Sequence, residues 1–182
     1  NLLQNSLRYD YIIYEKRPEL DLNDGYGIQL SVNSVKLLNE IGFKNIAANE
    51  ISFSKKINFI DAKTTNKICD IDISKFNNEK NQYTTLKRST LIKFLLSNIS
   101  PEKIKNNIEL KNIEYGEKIK LSLSNYSIEE FDYLVVSDGA FSKTKSIILR
   151  KDTSPKFFNS VALRGNIKNY NNNNISIFLG SN

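Results

Sequence analysis

Charged residues stand at several points where the sequence predicts that a strand ends, and there they could bind a nucleotide. Asp138 and Gly139 follow the apolar run 133–136 and precede a helix start at Ser142. The free N–H groups of a strand-to-helix turn suit phosphate or ribose oxygens, and a glycine permits close backbone approach to a ligand. The same residues, taken alone, also fit an ordinary buried strand followed by a polar turn.

Glu15 and Arg88 stand at two further positions of this kind. Glu15 follows the apolar run 11–14. In dinucleotide-binding α/β folds, an acid at the end of the second strand hydrogen-bonds a ribose hydroxyl. Arg88 lies where an extended piece enters a helix, and its guanidinium fork suits phosphate oxygens. Taken singly, each is better explained as a solvated surface residue.

The elements that would position these residues follow from the spacing of apolar and turn residues. Helical spacing predicts helices over 33–41 and 89–98, with Gly42 as the C-terminal cap of the first and Ser89 as the N-cap of the second. Residues 1–7 are predicted to be the last turns of another helix. Strands are predicted over 11–14, 108–113, 118–123, 133–136, 160–167 and 175–179, as two strands within 51–73 joined at 61–67, and as an extended piece over 84–88. Residues 27–30 could bring the backbone close to a ligand or could simply start a strand.

Composition indicates a soluble globular protein. Hydrophobic residues make up 40% and charged residues 25% of the 182 positions, and no apolar run approaches the roughly 20 residues of a membrane span. We expect no secretory signal, because the first residues contain no basic region followed by an apolar core. The single Cys69 fits a reducing compartment, so we expect a cytoplasmic protein. The chain has no Met, and we therefore expect it to be a fragment.

The same counts argue against metal and nucleic-acid chemistry. With no His and one Cys, a zinc site is nearly excluded. The net charge of +6 favours anionic ligands. The Lys residues of the chain are scattered rather than interleaved with aromatic residues, so nucleic-acid binding is not predicted. No triad, paired carboxylates or metal-ligand set is present, and the sequence assigns no catalytic residue and no metal ligand.

Four segments, in order and with fitting spacing, together resemble the flavin-dependent aromatic-ring monooxygenases, the class of salicylate hydroxylase and para-hydroxybenzoate hydroxylase. These segments are YIIYEKRPEL at 11–20, GIQLSVNSVKLLNEIGF at 27–43, LKRSTLIKFLL at 86–96 and FDYLVVSDGAFSKTKSII at 131–148, with a weaker match in VALRGNI at 161–167. The resemblance covers nearly the whole chain, and its second and fourth segments are the specific ones.

The resemblance implies an α/β fold in two parts. Residues 1–150 would form a Rossmann-like FAD-binding domain with a mixed sheet, lacking its first strand and Gly-rich turn. Residues 45–75 would be a β excursion toward the substrate domain. A polar linker with a Pro follows Arg150, and 151–182 would begin a β-rich substrate domain that stops before the family's late Gly-Asp motif.

The resemblance also implies an activity. The enzyme would bind FAD, take hydride from NADH or NADPH, and hydroxylate a small aromatic substrate with O2 through a flavin hydroperoxide. The fragment would be inactive alone. Two alternatives stay open: a flavin hydroxylase of ubiquinone biosynthesis, and a non-catalytic nucleotide-binding module. Neither the substrate, nor the choice of NADH or NADPH, nor the oligomeric state follows from the sequence.

By resemblance, six residues would contact the cofactor. Glu15 would bind the adenosine ribose, Arg88 the pyrophosphate side, Gly27 and Gln29 would lie in the loop flanking the flavin, and Asp138 with Gly139 would hold FAD and the passing nicotinamide cofactor.

Overall fold

The computed structural model describes residues 9–20, 22, 26–159, 161, 163, 165 and 174–180. These residues form a mixed α/β structure with several small sheets and few helices. The strands are β1 (Ile13–Glu15), β2 (Gly27–Leu30), β3 (Ile51–Phe53), β4 (Lys56–Asp61), β5 (Lys67–Asp72), β6 (Thr84–Lys87), β7 (Ile104–Asn106), β8 (Leu110–Tyr115), β9 (Ile119–Leu123), β10 (Ile128–Phe131) and β11 (Ile175–Leu179). The α-helices are α1 (Val32–Asn39), α2 (Arg88–Ser97) and α3 (Lys143–Leu149), and short 3-10 helices cover Phe43–Asn45, Ala48–Glu50, Ser74–Phe76 and Pro101–Lys103.

Contacts between described residues group them into two compact units. The first unit comprises the described residues of Asn1–Asp10, Asp21–Ser100 and Arg164–Asn182, and the second comprises Tyr11–Leu20 and Pro101–Leu163. The predicted helix over 1–7 lies outside the described residues, as does most of the predicted strand at 160–167. The division into domains near Arg150 stays a prediction.

The first unit contains the sheet β2–β6–β3, which is antiparallel throughout. Because side chains alternate along a strand, Ile28 and Leu30 of β2 face the core, whereas Gly27 and Gln29 lie on the opposite face. The core is a cluster of buried apolar residues with partly buried neighbours from α1 and α2. Its buried members are Val35, Phe43 and Leu86.

A second sheet of the first unit joins distant parts of the chain. Strands β4 and β5 form an antiparallel hairpin, and β11 pairs in parallel with β4 from Ile175 opposite Ile57 to Leu179 opposite Asp61. The Asp61 carboxylate accepts hydrogen bonds from the N–H groups of Lys63 and Thr64, which is a typical Asx turn. The predicted hairpin and the strand over 175–179 are therefore confirmed.

The second unit combines a parallel pair with an antiparallel meander. Strands β1 and β7 run parallel, with Glu15 opposite Asn106, and β8, β9 and β10 form the meander. Ile113, Leu121 and Leu123 are its buried core, and partly buried Tyr14 packs against this cluster.

The predicted buried strand over 133–136 is wrong. The ladder of β10 ends at Phe131, and residues 133–136 belong to no strand. Tyr133 is 83% exposed and Val135 is 80% exposed, while Leu134 is partly buried against the core. A β-branched run becomes a strand only where a neighbour supplies ladder hydrogen bonds. No described residue does so here.

The helix caps agree with the sequence in one case and differ in two. The C-cap of α1 is Glu40 rather than the predicted Gly42, which has a left-handed φ of +94° and is the N-cap of the following 3-10 helix. Ser142 is the N-cap of α3, as predicted. Ser89, however, is not the cap of α2. That helix begins at Arg88, its N-cap is Lys87, and the cap makes no side-chain hydrogen bond.

Candidate functional site

The six predicted cofactor residues divide equally between the two units. Gly27, Gln29 and Arg88 belong to the first unit. Glu15, Asp138 and Gly139 belong to the second. Their predicted role in binding a cofactor stays a prediction.

Glu15 is the last residue of β1, at the carboxyl end of a parallel pair. Its carbonyl oxygen accepts a hydrogen bond of 3.0 Å from the N–H of Ile108. Its Oε1 accepts one of 2.9 Å from the N–H of Arg17. These bonds fix the strand end, and a carboxylate has acceptor capacity beyond one such bond. In open α/β sheets ligands bind outside the carboxyl ends of strands, and Glu15 lies at such an end.

The turn at Gly139 has the backbone that only glycine adopts easily. Its φ is +81°, and an added Cβ would meet no heavy atom within 4 Å, so the residue faces open space. The N–H of Ser142 donates to the carbonyl of Gly139 at 3.2 Å. The Ser142 Oγ then accepts from the N–H of Lys145 at 3.0 Å. The predicted Gly turn before a serine-capped helix is confirmed.

The Asp138 carboxylate interacts with the start of α3. Partial burial raises the pKa of Asp138, but hydrogen bonds from the hydroxyls of Ser142 and Thr144 outweigh this and bring the pKa below its ordinary value of 3.8. The side chain is therefore ionised at neutral pH. It holds the turn in place, a role that the sequence pattern did not reveal.

Gly27 and Gln29 lie within β2 rather than in a loop. This corrects the location implied by the family resemblance, and the reason is antiparallel pairing with β6, which places Gln29 opposite Thr85. The Oε1 of Gln29 accepts a hydrogen bond of 2.7 Å from the hydroxyl of Tyr83. A Cβ at Gly27 would meet no heavy atom within 4 Å.

Arg88 stands directly at the junction of β6 and α2, as predicted. Strand β6 ends at Lys87 and α2 begins at Arg88, with no residue between them. The N–H of Arg88 donates to the carbonyl of Tyr26 at 2.9 Å, and the residue is partly buried. The backbone of Arg88 is thus fixed to both the sheet and the helix.

A cavity of about 300 Å³ in the second unit involves residues that the sequence analysis missed. Tyr14 and Glu129 line it, and the Tyr14 hydroxyl donates to the Glu129 Oε2 at 2.5 Å. Burial, and then the neighbouring Glu129 carboxylate, raise the pKa of Tyr14. The inward position of Tyr14 follows from strand alternation, but no local signal pairs it with a residue 115 positions away.

Two features are absent from the part of the chain that the structure describes. No group of three or more His, Cys, Asp or Glu residues among them could hold a metal ion. No helix formed by them has both the length and the apolar character needed to cross a membrane.

Comparison with solved structures shows the fold. The chain is similar to 2,6-dihydroxypyridine-3-hydroxylase from Arthrobacter nicotinovorans, with a TM-score of 0.65 and 18% identity over 82% of this chain and 36% of that one. It is similar to Klebsiella pneumoniae HpxO complexed with FAD and uric acid, with a TM-score of 0.67 and 16% identity over 82% and 38%. It is also similar to the tetracycline destructase Tet(55), with a TM-score of 0.59 and 16% identity over 79% of this chain and 36% of that one.

These likenesses concern part of each neighbour. The chain spans between a third and two fifths of the length of the solved structures it matches. No protein-family model matches the sequence, and no curated protein matches it either. At this level of identity the comparisons show a shared fold, and this fold is found in proteins solved with FAD.

Proposed function

We propose that the chain is part of a FAD-dependent monooxygenase that hydroxylates an aromatic substrate with NADH or NADPH and O2. The observation that carries the proposal is the fold likeness, over 82% of the chain, to HpxO complexed with FAD and uric acid. A Rossmann-like arrangement of the FAD-binding part is included in the proposal, and the parallel pair β1–β7 supports it. A cytoplasmic location is also included, on sequence grounds alone.

The residues present fit FAD. Glu15 offers a carboxylate at the carboxyl end of a parallel strand, which suits a ribose hydroxyl. Gly139 has a left-handed φ and open space where a side chain would be, and this allows close approach of a ligand to the backbone. The ionised Asp138 carboxylate holds that turn through the hydroxyls of Ser142 and Thr144.

The residues of the first unit, considered by themselves, also carry groups that suit FAD. Arg88 supplies a permanent positive charge at a helix start, which suits the pyrophosphate. Gln29 supplies an exposed amide, and Gly27 faces open space. When bound, FAD supplies the redox chemistry of hydride transfer and oxygen activation. The residues named here bind and orient FAD, and none of them is assigned a role as an acid, base or nucleophile.

The test is purification of the complete gene product that contains this chain. We expect a yellow protein that releases FAD on denaturation and oxidises NADH or NADPH faster when an aromatic substrate is present. A colourless protein without flavin would contradict the proposal. FAD binding without consumption of reduced nicotinamide would favour the non-catalytic nucleotide-binding module. Product analysis with quinone precursors and with small phenolic acids separates the two hydroxylase types.

A matched pair of variants tests the site itself. Glu15→Ala removes the carboxylate at the strand end and is expected to weaken FAD binding by roughly tenfold, since a hydrogen bond to a charged group contributes about 1.5 kcal/mol. Glu19→Ala removes an exposed carboxylate four residues later and leaves the affinity unchanged. Equal affinities for both variants, measured by flavin fluorescence titration, would remove Glu15 from the proposed site.

A further inference from the structure

Tyr83 and Gln29 form a hydrogen bond between two neighbouring segments of the first unit. The Tyr83 hydroxyl donates to the Gln29 Oε1 at 2.7 Å, and the residues are 54 positions apart. Gln29 lies opposite Thr85 in the antiparallel pair β2–β6, and Tyr83 precedes Thr85 by two residues. Diagonal neighbours of this kind share one face of a sheet. The bond therefore lies on the face turned away from the apolar core.

This hydrogen bond fixes which end of the Gln29 amide is occupied. A glutamine amide has an oxygen that accepts and a nitrogen that donates two hydrogens. Because the oxygen is taken by Tyr83, the nitrogen remains as the donor. No described residue supplies a hydrogen-bond partner for it, and Gln29 is exposed. An exposed, oriented N–H donor suits an acceptor atom of a ligand.

Tyr83 is itself held in place. Its N–H donates to the Asn77 Oδ1 at 2.8 Å, and its ring is partly buried. Burial raises the pKa of Tyr83, which keeps the hydroxyl protonated and able to donate. The donor end of the bond is thus fixed independently of Gln29.

We propose that Tyr83 is a positioning residue, which orients the Gln29 amide so that its NH2 group donates to an acceptor atom of bound FAD. The inference rests on the proposed function, because Gln29 contacts FAD only if the protein is a flavoprotein. It goes beyond that function in giving a role to Tyr83, which lies outside the four segments that carry the family resemblance.

A double-mutant cycle on the FAD dissociation constant tests the inference. Tyr83→Phe removes only the hydroxyl and keeps the backbone bond to Asn77. We expect it to weaken FAD binding about twofold to tenfold. In the Gln29→Ala background the same change should have no further effect, because a positioning residue acts only through the side chain that it positions. Tyr126→Phe, at a tyrosine that is 97% exposed, is the matched control and leaves binding unchanged.

A second measurement does not depend on FAD. In the flavin-free protein, the side-chain amide NMR signals of Gln29, assigned by their loss in Gln29→Ala, should shift in Tyr83→Phe and stay in place in Tyr126→Phe.

The outcomes separate this inference from the proposed function. Suppose that the parent protein binds FAD. If Tyr83→Phe then leaves the affinity for FAD unchanged, or lowers it equally in the presence and in the absence of the Gln29 side chain, the inference is overturned and the proposed function stands. Unshifted Gln29 signals in Tyr83→Phe overturn it as well. If the parent protein binds no FAD, the proposed function fails and the role assigned to Tyr83 fails with it.

Discussion

At the scale of single residues, Gly27 and Gly139 both face open space but differ in backbone conformation. Only Gly139 has a left-handed φ, of +81°. An L-residue in that region costs about 1 kcal/mol or more. We predict that Gly139→Ala lowers the free energy of unfolding by about 1 kcal/mol, measured by urea denaturation. Gly27→Ala is the control, and its expected change lies within about 0.5 kcal/mol. Equal losses in the two variants would contradict this account.

The Asp138 carboxylate gives a prediction about pH. Hydrogen bonds from Ser142 and Thr144 bring the folded-state pKa below the ordinary value of 3.8, despite the opposing effect of burial. A carboxyl whose pKa is depressed by folding stabilises the native state above its unfolded pKa, and loses that contribution as pH falls through its folded pKa.

We therefore expect the difference in unfolding free energy between the parent protein and Asp138→Asn to be constant near neutral pH and to shrink below pH 3.8. Urea unfolding over a series of acidic buffers measures this difference, in which the titration of all other carboxyls cancels. A difference that is the same at every pH would show that the charge of Asp138 does not stabilise the turn.

At the scale of secondary-structure elements, two serines near helix starts have different roles. The Ser142 Oγ accepts from the N–H of Lys145, whereas Ser89 lies inside α2, whose N-cap makes no side-chain hydrogen bond. Loss of a serine N-cap costs about 1 kcal/mol. We predict this loss of unfolding free energy for Ser142→Ala and almost none for Ser89→Ala. Thermal or urea unfolding compares them, and a larger effect at Ser89 would reverse the cap assignment.

The elements that the sequence predicted correctly are those with strong local signals. Strand β11 has the predicted bounds, and helix α1 lies within about a turn of the predicted 33–41. Strand β10 was missed because Glu129, one of its two partly buried positions, is a carboxylate bonded to Tyr14. An inward acid breaks the apolar alternation by which a strand is recognised. Its partner is far away in sequence and invisible to local patterns.

At the scale of the whole molecule, the sequence located candidate residues but not their surroundings. The strand end at Glu15 and the junction at Arg88 follow from local patterns, and both are where the sequence placed them. The bond from Tyr83 to Gln29, in contrast, depends on the register of β6 against β2. Register results from packing between distant segments, so a single sequence does not reveal it.

The net charge of this chain gives a prediction about how fast the cofactor associates. The chain carries +6, and FAD is an anion, so long-range attraction should speed their association. Raising salt from about 0.01 M to about 1 M shortens the Debye length from about 30 Å to about 3 Å. We expect the association rate constant of FAD, measured by stopped-flow fluorescence with the flavin-free protein, to fall about tenfold.

Riboflavin is the control, because it lacks the phosphates and should associate at a rate that hardly depends on salt. If the two ligands show the same salt dependence, net charge does not steer the cofactor, and recognition depends on short-range contacts such as those proposed for Glu15 and Arg88.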